Sequence, residues 1–209
     1  HILTGGPNGS ITIYDPKDPQ GPAAFEEIKG AHEDRSADYD PRSEDAAHMV
    51  IVVKDDAQYS PVAGDQWEVT VLSGGAGGII KEWKWRPKNV ISARPNQDFE
   101  LVPSKQWDLN NVGSDRCPEI VALDIDPFDP NKFVAGSAGS DIWEVDDSPR
   151  VMVQGQSDYV YGLAAYPRDN IWDVPQYSSI YASGCEDGCV YLWDSRSREC
   201  LHALPIRRF

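Results

Sequence analysis

Residues 182–194 read "ASGCEDGCVYLWD", and the architecture of the chain can be inferred from this stretch outward. Small residues lead into a short polar turn, and an apolar, aromatic run comes next and ends on Trp193 and Asp194. The same arrangement recurs as "LTGGPNGSITIYD" at 3–15, "LSGGAGGIIKEWK" at 72–84 and "VAGSAGSDIWEVD" at 134–146, so Tyr14, Trp83, Val145 and Trp193 hold equivalent places. A β-hairpin explains the pattern. Its tight turn needs residues that tolerate positive φ, and small residues beside it let neighbouring backbones approach. The glycines between Gly74 and Gly78 could instead suggest a phosphate cradle. Such a loop would need the order G-x-x-x-x-G-K-[ST], or a helix behind its glycines. The next residues are "IIKEWKW", a strand-forming run, so a hairpin turn is expected there.

Two further strands flank each of the later hairpins. In the last unit "YVYGLAAYP" at 159–167 reads as an inner strand, "SIYASG" and "CVYLWD" as the central hairpin, and "ECLHAL" at 199–204 as the outer strand. The preceding unit repeats this with "EIVALDIDP", "KFVAGS", "DIWEVD" and "RVMVQG". Four antiparallel strands per unit, each unit covering its neighbour's apolar face, make a propeller blade. The expected class is all-β, a partial propeller of about four blades, with approximate units 1–32, 48–110, 119–156 and 157–205 and an acidic insertion at 33–47. A seven-bladed ring at roughly 40–45 residues per repeat needs about 300 residues. The ring is therefore expected to be incomplete, with apolar blade faces open at its ends. His1 runs directly into "ILTGG", which predicts that the chain begins inside a longer sequence.

On these residues the chain resembles the WD40 family, most strongly in "ASGCEDGCVYLWD". The resemblance implies a structural hydrogen-bonded set in which Asp187, Ser183 and Trp193 take three places, Asp194 closes the repeat, and Gln156 stands where a His is expected. Residues 119–167, with the turn before "DIWEV", the following "VQG" and the later "GLAAYP", are similar to repeats of the echinoderm microtubule-associated protein-like family. That likeness implies tubulin, microtubules or microtubule-associated proteins as partners, and a cytoplasmic, cytoskeletal setting with the ciliary axoneme as one version of it. The alternative is a general WD40 adaptor that recruits a protein or peptide without touching tubulin.

Composition narrows the function classes. The 34 acidic against 19 basic residues give a net charge of −15, which opposes a nucleic-acid phosphate track because such binding relies on Lys and Arg displacing counterions. No apolar run approaches the length of a membrane span. The histidines His1, His32, His48 and His202 lie in no catalytic motif, and Cys117, Cys185, Cys189 and Cys200 lack the partners of a zinc set, so no catalysis, cofactor or metal is expected. Asp124, Asp126 and Asp129 in "DIDPFDPN" suggest calcium only superficially, since the alternating ligands and distant Glu of a calcium loop are missing. A proline-containing turn is the simpler reading. A non-enzymatic scaffold remains, and its candidate partner contacts are the basic patch Lys81, Lys84, Arg86 and Lys88 together with Trp107 and Trp172 in longer connections.

Overall fold

The structure is a computed structural model and describes residues 2–6, 10–14, 24–28, 50–53, 58–60, 66–87, 99–110, 112, 119–126, 129, 131–139, 141–153, 159–166 and 180–206. The chain is an all-β, partial WD40-type propeller. Its first sheet comprises β1 (Ile2–Gly5), β2 (Ile11–Tyr14) and β3 (Ala24–Ile28), and its second β4 (Val50–Val53), β5 (Gln58–Ser60), β6 (Gln66–Gly74), β7 (Ile79–Pro87) and β8 (Phe99–Asp108). The third sheet holds β9 (Ile120–Ile125), β10 (Phe133–Ser137), β11 (Ile142–Val145) and β12 (Pro149–Val153). The fourth holds β13 (Val160–Ala165), β14 (Ile180–Cys185), β15 (Cys189–Asp194) and β16 (Glu199–Pro205). The acidic insertion at 33–47 lies outside the described residues.

All four repeated stretches are hairpins, pairing β1 with β2, β6 with β7, β10 with β11 and β14 with β15. The glycine-rich stretch is a turn: Gly77 and Gly78 take φ of 83° and 68° in a short 3-10 turn, a region open to glycine at no steric cost. Its backbone carbonyls bind other parts of the fold. Gly78 O accepts from Leu109 N at 2.8 Å, and Gly75 O accepts from Ile120 N, in the third sheet, at 3.0 Å. In the second sheet β4 and β5 both pair with β6, so the inner edge of that sheet is made by two short strands.

Side chains alternate across each strand, so every sheet has a backward face and a forward face. Forward residues Leu72, Ile80, Trp107 and Leu109 of the second sheet pack on backward residues Ile120, Leu123, Phe133, Ala135, Trp143 and Val145 of the third. The third sheet repeats the scheme, setting Val134, Ile142, Met152 and Val153 against Val160, Tyr181, Cys185 and Trp193 of the fourth. Between the first two sheets Ile11 and Ile13 meet Val71, Trp83, Trp85 and Leu101. Each fully buried Ile, Leu or Val contributes about 1.5–3 kcal/mol, so these three layers carry the fold.

Candidate functional site

The repeat positions build hairpins from within. Trp193 Nε1 donates to Ser183 Oγ at 2.8 Å, and Trp83 Nε1 donates to Ser73 Oγ at 2.7 Å across the equivalent pair of the second sheet. In the third sheet those places hold Ala135 and Val145, and the indole of Trp143, two residues before Val145, bonds instead to Val112 O at 2.7 Å. Asp187 accepts from Cys189 N at 2.8 Å and from the Tyr191 hydroxyl, which shapes the turn between β14 and β15. Asp194 accepts from Arg196 N at 2.9 Å and so closes the next turn. Gln156 lies outside the described residues.

The basic patch is divided by the pleat. Register places Lys81 on the face of Trp83, while Lys84 and Arg86 lie on the opposite face. Lys84 donates to Thr70 Oγ1 at 2.7 Å and lies 3.6 Å from Glu68, and Arg86 Nε donates to Glu100 at 3.0 Å. The Lys81 ammonium sits 5.8 Å from the Trp83 ring centroid. Lys88 lies outside the described residues. The cations that are described thus have acidic or aromatic neighbours of their own and form no single basic surface.

Trp107 requires a correction. It belongs to β8 rather than to a connection, and it is only 5 % exposed. Its ring meets Phe133 edge-on at 4.9 Å and its Nε1 donates to Asp146 O at 2.9 Å, so it fastens the second sheet to the third. The indole is large enough to bridge the two sheets and has a polar handle to anchor there. Trp172 lies outside the described residues.

The acidic stretch after Ile120 fastens the next junction. Asp124 Oδ2 accepts from Ala165 N at 2.6 Å, and Asp126 Oδ2, itself buried, accepts from the Tyr181 hydroxyl at 2.8 Å. Burial first, and the Asp126 carboxylate second, push the Tyr181 phenol far above its ordinary ionisation range. Asp126 Oδ1 accepts from Asp129 N at 3.2 Å and Asp129 Oδ1 from Asn131 N at 3.0 Å, which makes the turn. Nearby, the Lys132 ammonium lies 2.7 Å from Glu144, and Arg150 bonds both Glu144 at 2.8 Å and Asp146 at 2.7 Å. The Ser148 amide, and then the Arg150 guanidinium, hold Asp146 below the usual carboxylate value. Among the described residues no group of His, Cys, Asp and Glu is arranged to hold a metal ion.

Large apolar side chains reach solvent on the fourth sheet. Tyr159, Tyr161 and Tyr166 flank or lie on β13, and Leu201, Leu204 and Ile206 lie on or just past β16, with Tyr161 64 % exposed. Tyr161 is the extra residue of a bulge against β14, a device that re-aims a side chain. Sequence reasoning identifies this stretch only as an inner strand. A signal is present all the same: with the two inner strands aligned, Tyr159, Tyr161 and Tyr166 replace Glu119, Val121 and Asp126 of the preceding unit. His202 is also exposed on β16, while His1, His32 and His48 lie outside the described residues.

No protein-family model matches the chain. Among curated proteins it is similar to "THO complex subunit 6 homolog" of Danio rerio, 26 % identical over 144 residues, and to "THO complex subunit 6" of Arabidopsis thaliana, 24 % identical over 151 residues. Each match takes in 68 % of the chain, which spans only 39 % and 38 % of the two relatives' lengths. These relatives overturn the expected membership of the echinoderm microtubule-associated protein-like family. The tubulin and microtubule partners and the cytoskeletal or ciliary setting fall with it. The structure gives the physical reason. Trp143 and Val145 of "DIWEV" and Leu163 and Ala165 of "GLAAYP" pack between sheets, so the motifs behind that likeness belong to the blade framework and carry no mark of a partner.

Proposed function

We propose that this chain is propeller framework of a non-catalytic scaffold subunit that binds other proteins, of the kind its relatives' names place in a THO complex. The observation that carries the reading is the agreement of a fish and a plant relative, each matched over more than 140 residues and each named as subunit 6. The geometry is consistent with it: the motif-bearing Asp, Ser, Trp and Lys side chains are engaged within and between sheets. This reading takes up the adaptor alternative and replaces the microtubule one. Its partners are then the other subunits of a THO-type assembly, and its place is the nucleus. The test is affinity purification of the tagged protein from cells of its own source under gentle conditions, with mass spectrometry of what is retained. Retention of THO subunits in fixed proportion supports the proposal, and their absence from a folded, saturating bait rejects it.

A further inference from the structure

The two ends of the third and fourth sheets differ in charge. The described Lys and Arg side chains of these sheets, Lys132, Arg150, Arg196 and Arg198, all lie at the end where the β9–β10, β11–β12 and β15–β16 connections run. Three of them meet carboxylates there: Lys132 meets Glu144, Arg150 meets Glu144 and Asp146, and Arg196 lies 3.6 Å from Asp194. The opposite end holds the β10–β11 and β14–β15 turns and the starts of β9 and β13. Among its described residues the charges are all negative, namely Glu119, the buried Asp141, Glu186 and Asp187.

That acidic end also carries two exposed aromatic rings. Glu186 N donates to Tyr159 O at 3.0 Å, which seats Tyr159 against the β14–β15 turn, and Ala138 N does the same to Glu119 O at 3.0 Å in the third sheet. Tyr161 follows at the bulge, and its ring lies 6.3 Å from that of Tyr159 with 31° between their planes. Glu119 and Val121 hold the same two places in the third sheet and are part-exposed although the fourth sheet packs on it. The openness therefore belongs to these places on the inner strand. Because β9 and β13 are neighbours, Glu119, the two tyrosines and the exposed Glu186 share one rim.

We propose that this rim docks an arginine-bearing segment of a partner protein, with a guanidinium laid on the Tyr159 and Tyr161 rings and bonded to Glu186 or Glu119. An aromatic face attracts a cation, and the planar guanidinium can stack on a ring while its N–H groups reach a carboxylate. The fold already uses this combination internally: the Lys105 ammonium lies 4.9 Å from the Trp107 ring centroid and 3.0 Å from Asp147. The net charge of −15 adds a general attraction for a basic segment. Single-stranded RNA could stack on tyrosines too, but its phosphates would meet carboxylates here and no described cation. The inference deepens the protein-binding reading above and rests on it, while its test needs no THO subunit.

The test titrates the full natural polypeptide into a fluorescently labelled Gly/Ser peptide carrying two arginines, reads anisotropy, and repeats this with citrulline in place of arginine and with a short single-stranded RNA. The arginine peptide is expected to bind saturably and the citrulline peptide not to bind. Tyr159→Ala combined with Tyr161→Ala should weaken binding about tenfold and Glu186→Gln about threefold, while Tyr161→Phe keeps the ring face and should leave it unchanged. Should the double variant fail to fold, Glu186→Gln decides, because Glu186 lies in an exposed turn. Equal binding of the citrulline peptide, tighter binding of the RNA, or full binding by the folded variants overturns the proposal. So does an equal loss with Asp147→Asn at the other end, which would reveal bulk charge attraction only. Binding that emerges only after Arg207→Ala and Arg208→Ala would assign the rim to the chain's own segment, with the same consequence. Any of these results with THO subunits still retained on affinity purification rejects the rim and leaves the scaffold reading standing.

Discussion

Two junctions in this molecule solve one packing problem by different chemistry. The second and third sheets are fastened by Trp107, whose ring meets Phe133 and whose indole N–H finds the Asp146 carbonyl. The third and fourth are fastened by carboxylates, Asp124 on the Ala165 amide and Asp126 on the Tyr181 hydroxyl. Both have an apolar layer beneath. The lesson is that the sheets share a hairpin plan while each fastening is particular to its junction. Residues that stand out in a sequence, an extra Trp or an acidic cluster, can belong to such fastenings and owe nothing to a ligand.

The indole junction is disrupted most severely by Trp107→Ala, which should cost about 3–5 kcal/mol of stability by leaving a cavity between the sheets. Equilibrium denaturation measures it. A loss below about 1 kcal/mol would mean that Trp107 does not fasten this junction. Asp126→Ala acts at the other junction and should cost about 1–3 kcal/mol, because the Tyr181 hydroxyl loses an acceptor in a buried site. Pairing it with Tyr181→Phe in a double-mutant cycle should reveal coupling. If the two effects simply add, the 2.8 Å contact carries no energy of its own.

Alkaline pH separates the two junctions further. The folded state holds the Tyr181 proton more tightly than the unfolded chain does, so this contribution to stability is complete below the ordinary tyrosine value near 10 and is lost as pH rises beyond it. Tyr181→Phe should remove that part of the alkaline decline, while Trp107 variants should keep it. Denaturation at about pH 8 and about pH 11, on either side of the ordinary tyrosine value, tests the sign.

A smaller effect is expected within the hairpins. Ser183→Ala and Ser73→Ala each leave a buried indole N–H without its serine acceptor and should cost about 1–2 kcal/mol. The third hairpin has Ala135 and Val145 at these places and nothing comparable to lose. Smallest of all, Arg86→Ala should change stability by less than about 1 kcal/mol, because its pair with Glu100 is exposed to solvent. A larger value would show that the exposed cations of β7 matter to the fold.

Much of this architecture is legible in local sequence. The four strands expected in residues 119–155 and the four in 159–204 form close to their expected positions, because turn glycines and strand-forming residues are local signals. Ser183 and Trp193 can be anticipated for the same reason, as both sit on one hairpin. Trp107 cannot, since its partners Phe133 and Asp146 are distant in sequence and nothing local distinguishes a fastening indole from a displayed one. The basic patch misleads in a related way. Lys81, Lys84 and Arg86 are neighbours in the chain, but the pleat sends them to two faces and Glu68 and Glu100 come from adjacent strands.

The repeat, the hairpins and the all-β class are thus written in the sequence, because each depends on residues within one turn and its two flanking strands. Tertiary packing alone settles which glycines abut side chains of a neighbouring sheet, which carboxylates join sheets, and which tyrosines reach solvent. Those properties depend on what the neighbouring sheet brings to within a few ångströms. That distance is set by the stacking of whole sheets, and a single strand carries no record of it.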